Sequence, residues 1–146
     1  HATGKITLFF VAGAFYVGAK ISKISDLNGH GTAAPLIFLA FFIGSLSIIG
    51  VPPMAGSWSK FFLMLGAADS GYVVVIGVFC VSTILNAFYL MEIPARAFFF
   101  KKERDINVKI PKLILIPTLI TSFLTILLFF FIEPFQNLTS MMVSKI

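Results

Sequence analysis

Charge is scarce in this chain. Only 12% of its 146 residues are Asp, Glu, Lys or Arg, about half the share found in soluble domains, whereas 58% are hydrophobic and 18 are Phe. With a mean hydropathy of +1.00, an ordinary soluble domain is excluded and a membrane protein is indicated. Cysteine is nearly absent: Cys80 stands alone within an apolar run over 72–91, so no internal disulfide can form and no redox framework is implied. No Cys/His spacing suits a metal, so neither metal nor cofactor is expected and the chain carries no redox site of its own. Strand-length alternation, low-complexity tracts and soluble-domain repeats are also missing, which leaves an all-α fold. The first residue is His1, and nothing near it has the charged, apolar and small-residue order of a signal peptide. The reading is therefore one transmembrane domain fragment over 1–146, an internal or C-terminal piece of a longer polytopic protein.

What charge there is, is mostly basic: eleven Lys and Arg against six Asp and Glu, a net charge of +5. Its placement argues against nucleic acid. Lys20 and Lys23 fall in one polar loop, and Arg96, Lys101, Lys102, Arg104, Lys109 and Lys112 in another. This is the pattern of the cytoplasmic positive excess in membrane proteins. Lys145 lies in the tail, and Lys5 and Lys60 lie in apolar surroundings.

A requirement of about 20 predominantly apolar residues per span outlines four blocks: 3–19, 34–68, 72–99 and 114–132. The second is interrupted by Gly50-Val-Pro-Pro-Met-Ala-Gly-Ser-Trp-Ser-Lys60. It is either two spans with a turn at Pro52-Pro53, or one span broken near 50–58. Two spans would place the two basic loops on opposite sides of the membrane. One broken span places both on the same side, with the connection Asp69-Ser70-Gly71 opposite. The Lys/Arg bias favours the second arrangement. Prolines lack the N–H and clash with carbonyls one turn earlier, so a break is expected there. Unpaired backbone at membrane depth survives only against protein or water.

Lys60 opens the second half of this span. A cation at bilayer depth costs about 2.5–3.5 kcal/mol on insertion scales, so it needs a water path or a partner, unless it snorkels to an interface. His1 and Lys5, at i and i+4, share one helix face, as either a proton relay or a solvated helix end. Ser57 and Ser59 flank Trp58 and are possible accessory polar lining. Asn86 and Tyr89 lie deeper on the third span, where they read as interhelical hydrogen-bonding groups or as further lining. Glu92 and Arg96 read as an interfacial ion pair beside Pro94, and His30, in a polar turn, as solvated. Asn137-Leu138-Thr139 matches a glycosylation sequon by chance.

The stretches HATGKITLFFVAGAFY (1–16), ISDLNGHG (24–31) and SIIGVPPMAGSWSKFFLMLGA (47–67) together resemble the C-terminal part of proton-conducting antiporter-like membrane subunits. The family includes large membrane subunits of respiratory complex I, those of related hydrogenases, and the D-type subunit of Mrp Na+/H+ antiporters, which looks most similar. The resemblance covers residues 1–100; residues 110–146 match only as a further apolar span. It implies a fold of about fourteen helices with two inverted repeats, each containing a broken helix. It also implies Lys5 as a central relay, His1 as its neighbour and Lys60 as the terminal group exchanging protons with one side. The glutamate–lysine pair of the first repeat has no counterpart in these residues, and His30 stands where relatives usually carry an apolar residue.

The expected function is proton translocation through His1, Lys5 and Lys60, within a multi-subunit cation/proton antiporter or respiratory complex. Its expected partners are other membrane subunits, protons, Na+ if the complex is an antiporter, and the bilayer. The expected location is a prokaryotic inner membrane, with loops 20–33 and 94–112 cytoplasmic and the C-terminus outside. The alternatives are a scaffold subunit without its own proton path, or an unrelated secondary transporter binding solute at the broken helix.

Overall fold

A computed structural model describes residues 1–101 and 108–143. Among these, regular structure is entirely helical. Helix α1 (Ala2–Ala19) is followed by two 3₁₀ turns, Ile24–Leu27 and Gly31–Ala33. Then come α2 (Pro35–Ile49), α3 (Ala55–Asp69), α4 (Val73–Phe99), α5 (Lys112–Phe130) and α6 (Glu133–Val143). Helices α1, α4 and α5 are long and apolar enough to cross a membrane. The 15 residues of α2 and of α3 make about 22 Å of helix each at 1.5 Å per residue. Either half alone falls short of a hydrocarbon core of ~30 Å.

Helix α2 is the centre of the bundle, packed on α1, α5, α4 and α3. Its Ile37, Phe38, Ala40 and Phe41 meet Val11, Ala14 and Phe15 of α1 in the buried core. The ring of Phe38 lies 4.9 Å from Phe15 and 5.6 Å from Phe98 of α4. Lower down, α1 and α2 cross with almost no space between them. A Cβ added to Gly4 would sit 3.4 Å from the Gly44 carbonyl oxygen, and one added to Gly44 would sit 3.3 Å from that of Gly4. Small residues at crossings serve membrane helices well, because close packing rather than the hydrophobic effect drives their association. Helix α5 joins through hydroxyls: Thr7 Oγ1 donates to Thr121 Oγ1 at 2.9 Å. Thr118, Ser122 and Thr125 are buried beside it, each donating to a carbonyl one turn earlier.

The two basic loops meet at one end of this bundle. The Lys109 N–H donates to the Gly18 carbonyl and the Gly29 N–H to that of Arg96, both at 3.2 Å. Lys102 and Arg104 of the second loop, and Lys145 of the tail, lie outside the described residues. His30 differs from the expectation that it is solvated: it is 1% exposed, with Nδ1 2.9 Å from the Asn28 carbonyl oxygen. The reason is that its loop folds back on the end of α4, with Gly31 pressed against the ring of Phe98. Glu92 and Arg96 pair at 2.7 Å on the exposed side of that end. Helix α6, where the sequence suggested only a tail, presents Phe135, Leu138, Met141 and Met142 on its exposed surface.

The interruption between α2 and α3 is short and specific. Gly50 ends α2 at φ 90°, the left-handed geometry of a helix C-terminus that glycine adopts without a Cβ clash. Gly56, in the first turn of α3, abuts the last turn of α2 so closely that an added Cβ would lie 1.8 Å from the Ser47 carbonyl oxygen. No side chain fits there without separating the two half-helices. Gly56→Ala is therefore expected to destabilise the full-length protein by about 1–3 kcal/mol, the usual cost of overpacking. Gly13→Ala, whose Cβ meets nothing within 4 Å, should leave stability unchanged or raise it. Thermal unfolding of both variants in detergent checks the contrast, and equal melting temperatures would contradict it.

Candidate functional site

The break leaves a defined deficit in the backbone. In a continuous helix the carbonyls of Ile48 and Ile49 would accept from the N–H groups four residues on, but those residues are Pro52 and Pro53, which have none. The Lys60 side chain supplies one replacement. Its Nζ donates to the Ile49 carbonyl at 2.7 Å and to Thr83 Oγ1 of α4 at 2.9 Å. The Thr83 hydroxyl in turn donates to the Phe79 carbonyl at 2.8 Å. A cation at this position also meets the negative end of the α2 dipole, which favours it.

Gly50 makes this reach possible. The methylene stem of Lys60 passes over it, and a Cβ on Gly50 would lie 2.7 Å from Lys60 Cδ. Beside the ammonium is an open cavity of about 470 Å³, lined by Ile49, Gly50, Ser57, Trp58, Thr83 and Phe129 among others. Ser57 is tied locally, its Oγ donating to the Met54 carbonyl at 2.8 Å. Trp58 anchors the opposite wall: Nε1 donates to the Phe129 carbonyl at 3.1 Å, and its ring stacks on Phe62 at 5.9 Å and lies 5.6 Å from Phe129. Helix α3 is thus fastened through two side chains to the carbonyl ends of two neighbours, Lys60 on α2 and Trp58 on α5.

The other residues singled out in the sequence stand apart from this group. Ser59 is exposed on the far side of α3. Asn86 and Tyr89 bond to each other, Tyr89 Oη donating to Asn86 Oδ1 at 2.7 Å, on an outward groove of α4 that does not include Lys60 or Thr83. His1 and Lys5 lie on the exposed face of α1, while Gly4, Thr7 and Val11 face the core. Thr83 and Trp58 are site members that sequence reasoning did not assign. A threonine one turn from Asn86 on an apolar helix was the available signal for the first.

Comparison with known proteins places the chain in a family. A family profile described as "NADH:quinone oxidoreductase/Mrp antiporter, TM" matches residues 1–86. The N subunit of the NADH-quinone oxidoreductase of Desulforudis audaxviator is 37% identical over 98 residues, which are 67% of this chain and 20% of that protein. The D-type subunit of the Na(+)/H(+) antiporter of Alkalihalophilus pseudofirmus is 32% identical over 137 residues, 92% of this chain and 28% of that protein. In structure, the chain is similar to one in the Mrp complex of Dietzia sp. DQ12-45-1b, with a TM-score of 0.82 at 21% identity, covering 92% of this chain and 34% of that one. It is also similar to a chain of respiratory complex I from Thermus thermophilus, with a TM-score of 0.70 at 22% identity, covering 87% of this chain and 30% of that one. The chain spans between a fifth and about a third of the length of these four proteins. With more than half its residues matched by the profile and its helices arranged as in these complexes, it belongs to the NADH:quinone oxidoreductase/Mrp antiporter family of transmembrane subunits.

Proposed function

We propose that these residues form part of a proton-translocating subunit in which Lys60 exchanges protons with one side of the membrane and Lys5, with His1 one turn away, relays them within it. The observation that carries this reading is the Lys60 amine at the interrupted helix, beside an open cavity and hydrogen-bonded to backbone and hydroxyl. A titratable group at such a place has access to water and, among the described residues lining that cavity, no carboxylate to hold its proton. The exposed face carrying His1 and Lys5 suits contact with further helices of a longer subunit. Its partners are other membrane subunits of an Mrp-type antiporter or a respiratory complex, and Na+ is the counter-ion in the first case. The membrane is a bacterial inner membrane. By the positive-inside rule, the end that gathers the 20–33 and 94–112 loops is cytoplasmic, and the C-terminus is outside.

A second reading is favoured by the same bonds. Lys60 and Trp58 each close a helix end, which is what a scaffold without its own proton path also needs.

Two measurements decide these points. Lys60→Ala in the full-length protein, assembled with its partners in proteoliposomes, is expected to abolish proton flux, and Lys60→Glu to retain part of it through a titratable group of opposite charge. Wild-type flux in assembled Lys60→Ala would sink the relay, and loss of assembly without a flux defect in the assembled fraction would favour the scaffold. For sidedness, a single cysteine at Lys23 of an otherwise cysteine-free full-length protein should react with a membrane-impermeant maleimide in inside-out vesicles and stay protected in right-side-out ones. The reverse pattern would invert the topology.

A further inference from the structure

The hydrogen bonds around Lys60 do more than hold it in place; they select which of its protons can leave. An ammonium has three N–H donors, and the neutral amine has two donors and one lone pair. Here two donors are already committed, one to the Ile49 carbonyl and one to Thr83 Oγ1. A carbonyl can only accept. The Thr83 hydroxyl has one hydrogen, and that hydrogen is given to the Phe79 carbonyl, so toward Lys60 it too can only accept. Neither partner is able to take the proton or to return one. Both bonds can persist whether the amine is charged or neutral, because each state retains at least two N–H groups. The third tetrahedral position, N–H in one state and lone pair in the other, is left for the cavity that Lys60 lines.

We infer that Thr83 is a positioning residue for proton exchange, fixing the Lys60 amine so that its exchangeable position faces the cavity rather than the α2–α4 interface. This rests on the proposed relay role of Lys60. Among the described residues no other group lining that cavity is titratable, and no charged group from α2, α4 or α5 lines it with Lys60. The hydroxyl is therefore the side-chain acceptor through which the protein acts on this amine. It also acts unequally on the two states, since a hydrogen bond from an ionised donor is roughly twice as strong as a neutral one. Removing it changes both the orientation of the amine and the balance between its two forms.

The test uses the full-length protein in its assembled complex, reconstituted in proteoliposomes, with proton flux measured across pH. Thr83→Val keeps the shape and deletes the hydroxyl; it is expected to lower flux and displace the flux–pH profile by about one pH unit, the scale of one charge-assisted hydrogen bond. Thr83→Ser retains the hydroxyl and is expected to restore the wild-type profile. A wild-type profile in assembled Thr83→Val, or a Thr83→Ser profile displaced like that of the valine variant, would overturn the inference. Should Thr83→Val not assemble, Thr83→Cys gives the same reading, since sulfur is a weak acceptor: a displaced profile supports the role and an unchanged one refutes it. Lys60→Ala, measured alongside, separates the two levels. If it abolishes flux while the Thr83 variants keep the wild-type profile, the positioning role alone fails. If it leaves flux intact, the relay reading fails first.

Discussion

The structure depends on one hydrogen bond, from the Lys60 ammonium to the carbonyl of Ile49. Prolines at 52 and 53 end α2 within an apolar bundle by withholding the donors its last carbonyls need. Backbone groups left unpaired at bilayer depth cost several kcal/mol each. A lysine at the same depth is also unfavourable by itself. Each deficit is the remedy for the other, because the cation is the donor that the helix end lacks and the helix end is the acceptor that the cation lacks.

Several local choices exist to let that bond form. Gly50 turns the chain at positive φ and gives the lysine stem a path over its Cα. Gly56 brings the first turn of α3 against Ser47, which sets Lys60 one turn later within reach of Ile49. Trp58, two residues before the lysine, fixes the other side of α3 to the carbonyl end of α5. Helix α3 makes few buried apolar contacts, with Gly56 alone fully buried, so these two polar attachments orient it more than core packing does. In the proposed relay, the group that exchanges protons and the group that completes the backbone are the same lysine, so structural and transport roles share a residue.

Much of the fold was legible because membrane helices obey strong one-dimensional rules. Length and hydropathy mark α1, α4 and α5, and the double proline marks the interruption. The Lys/Arg distribution over two loops pointed to their meeting at one end, which the backbone bonds between Gly18 and Lys109 and between Gly29 and Arg96 carry out. The site was less legible. Lys60 stood out because a charge in an apolar run is anomalous, but Thr83 did not, since a threonine can hide its hydroxyl on its own helix and look like any small apolar-tolerant residue. His30 misled because its neighbours Asn28, Gly29 and Gly31 have turn composition, and composition does not register that the turn is covered by Phe98.

By itself, then, the sequence determined an all-helical membrane chain, the place of its break and the identity of the cation beside it. These follow from local physics: backbone donors removed by proline, span length set by bilayer thickness, and charge excluded from hydrocarbon. Tertiary structure alone decided what the cation touches, which faces of α1 and α4 turn outward with Lys5, Asn86 and Tyr89, and that His30 is buried. Those outcomes depend on the rotation of each helix about its axis, which is set by contacts such as Gly4 on Gly44 and Thr7 on Thr121. When all sides of a helix are apolar, its hydrophobic pattern carries little information about which side will be buried.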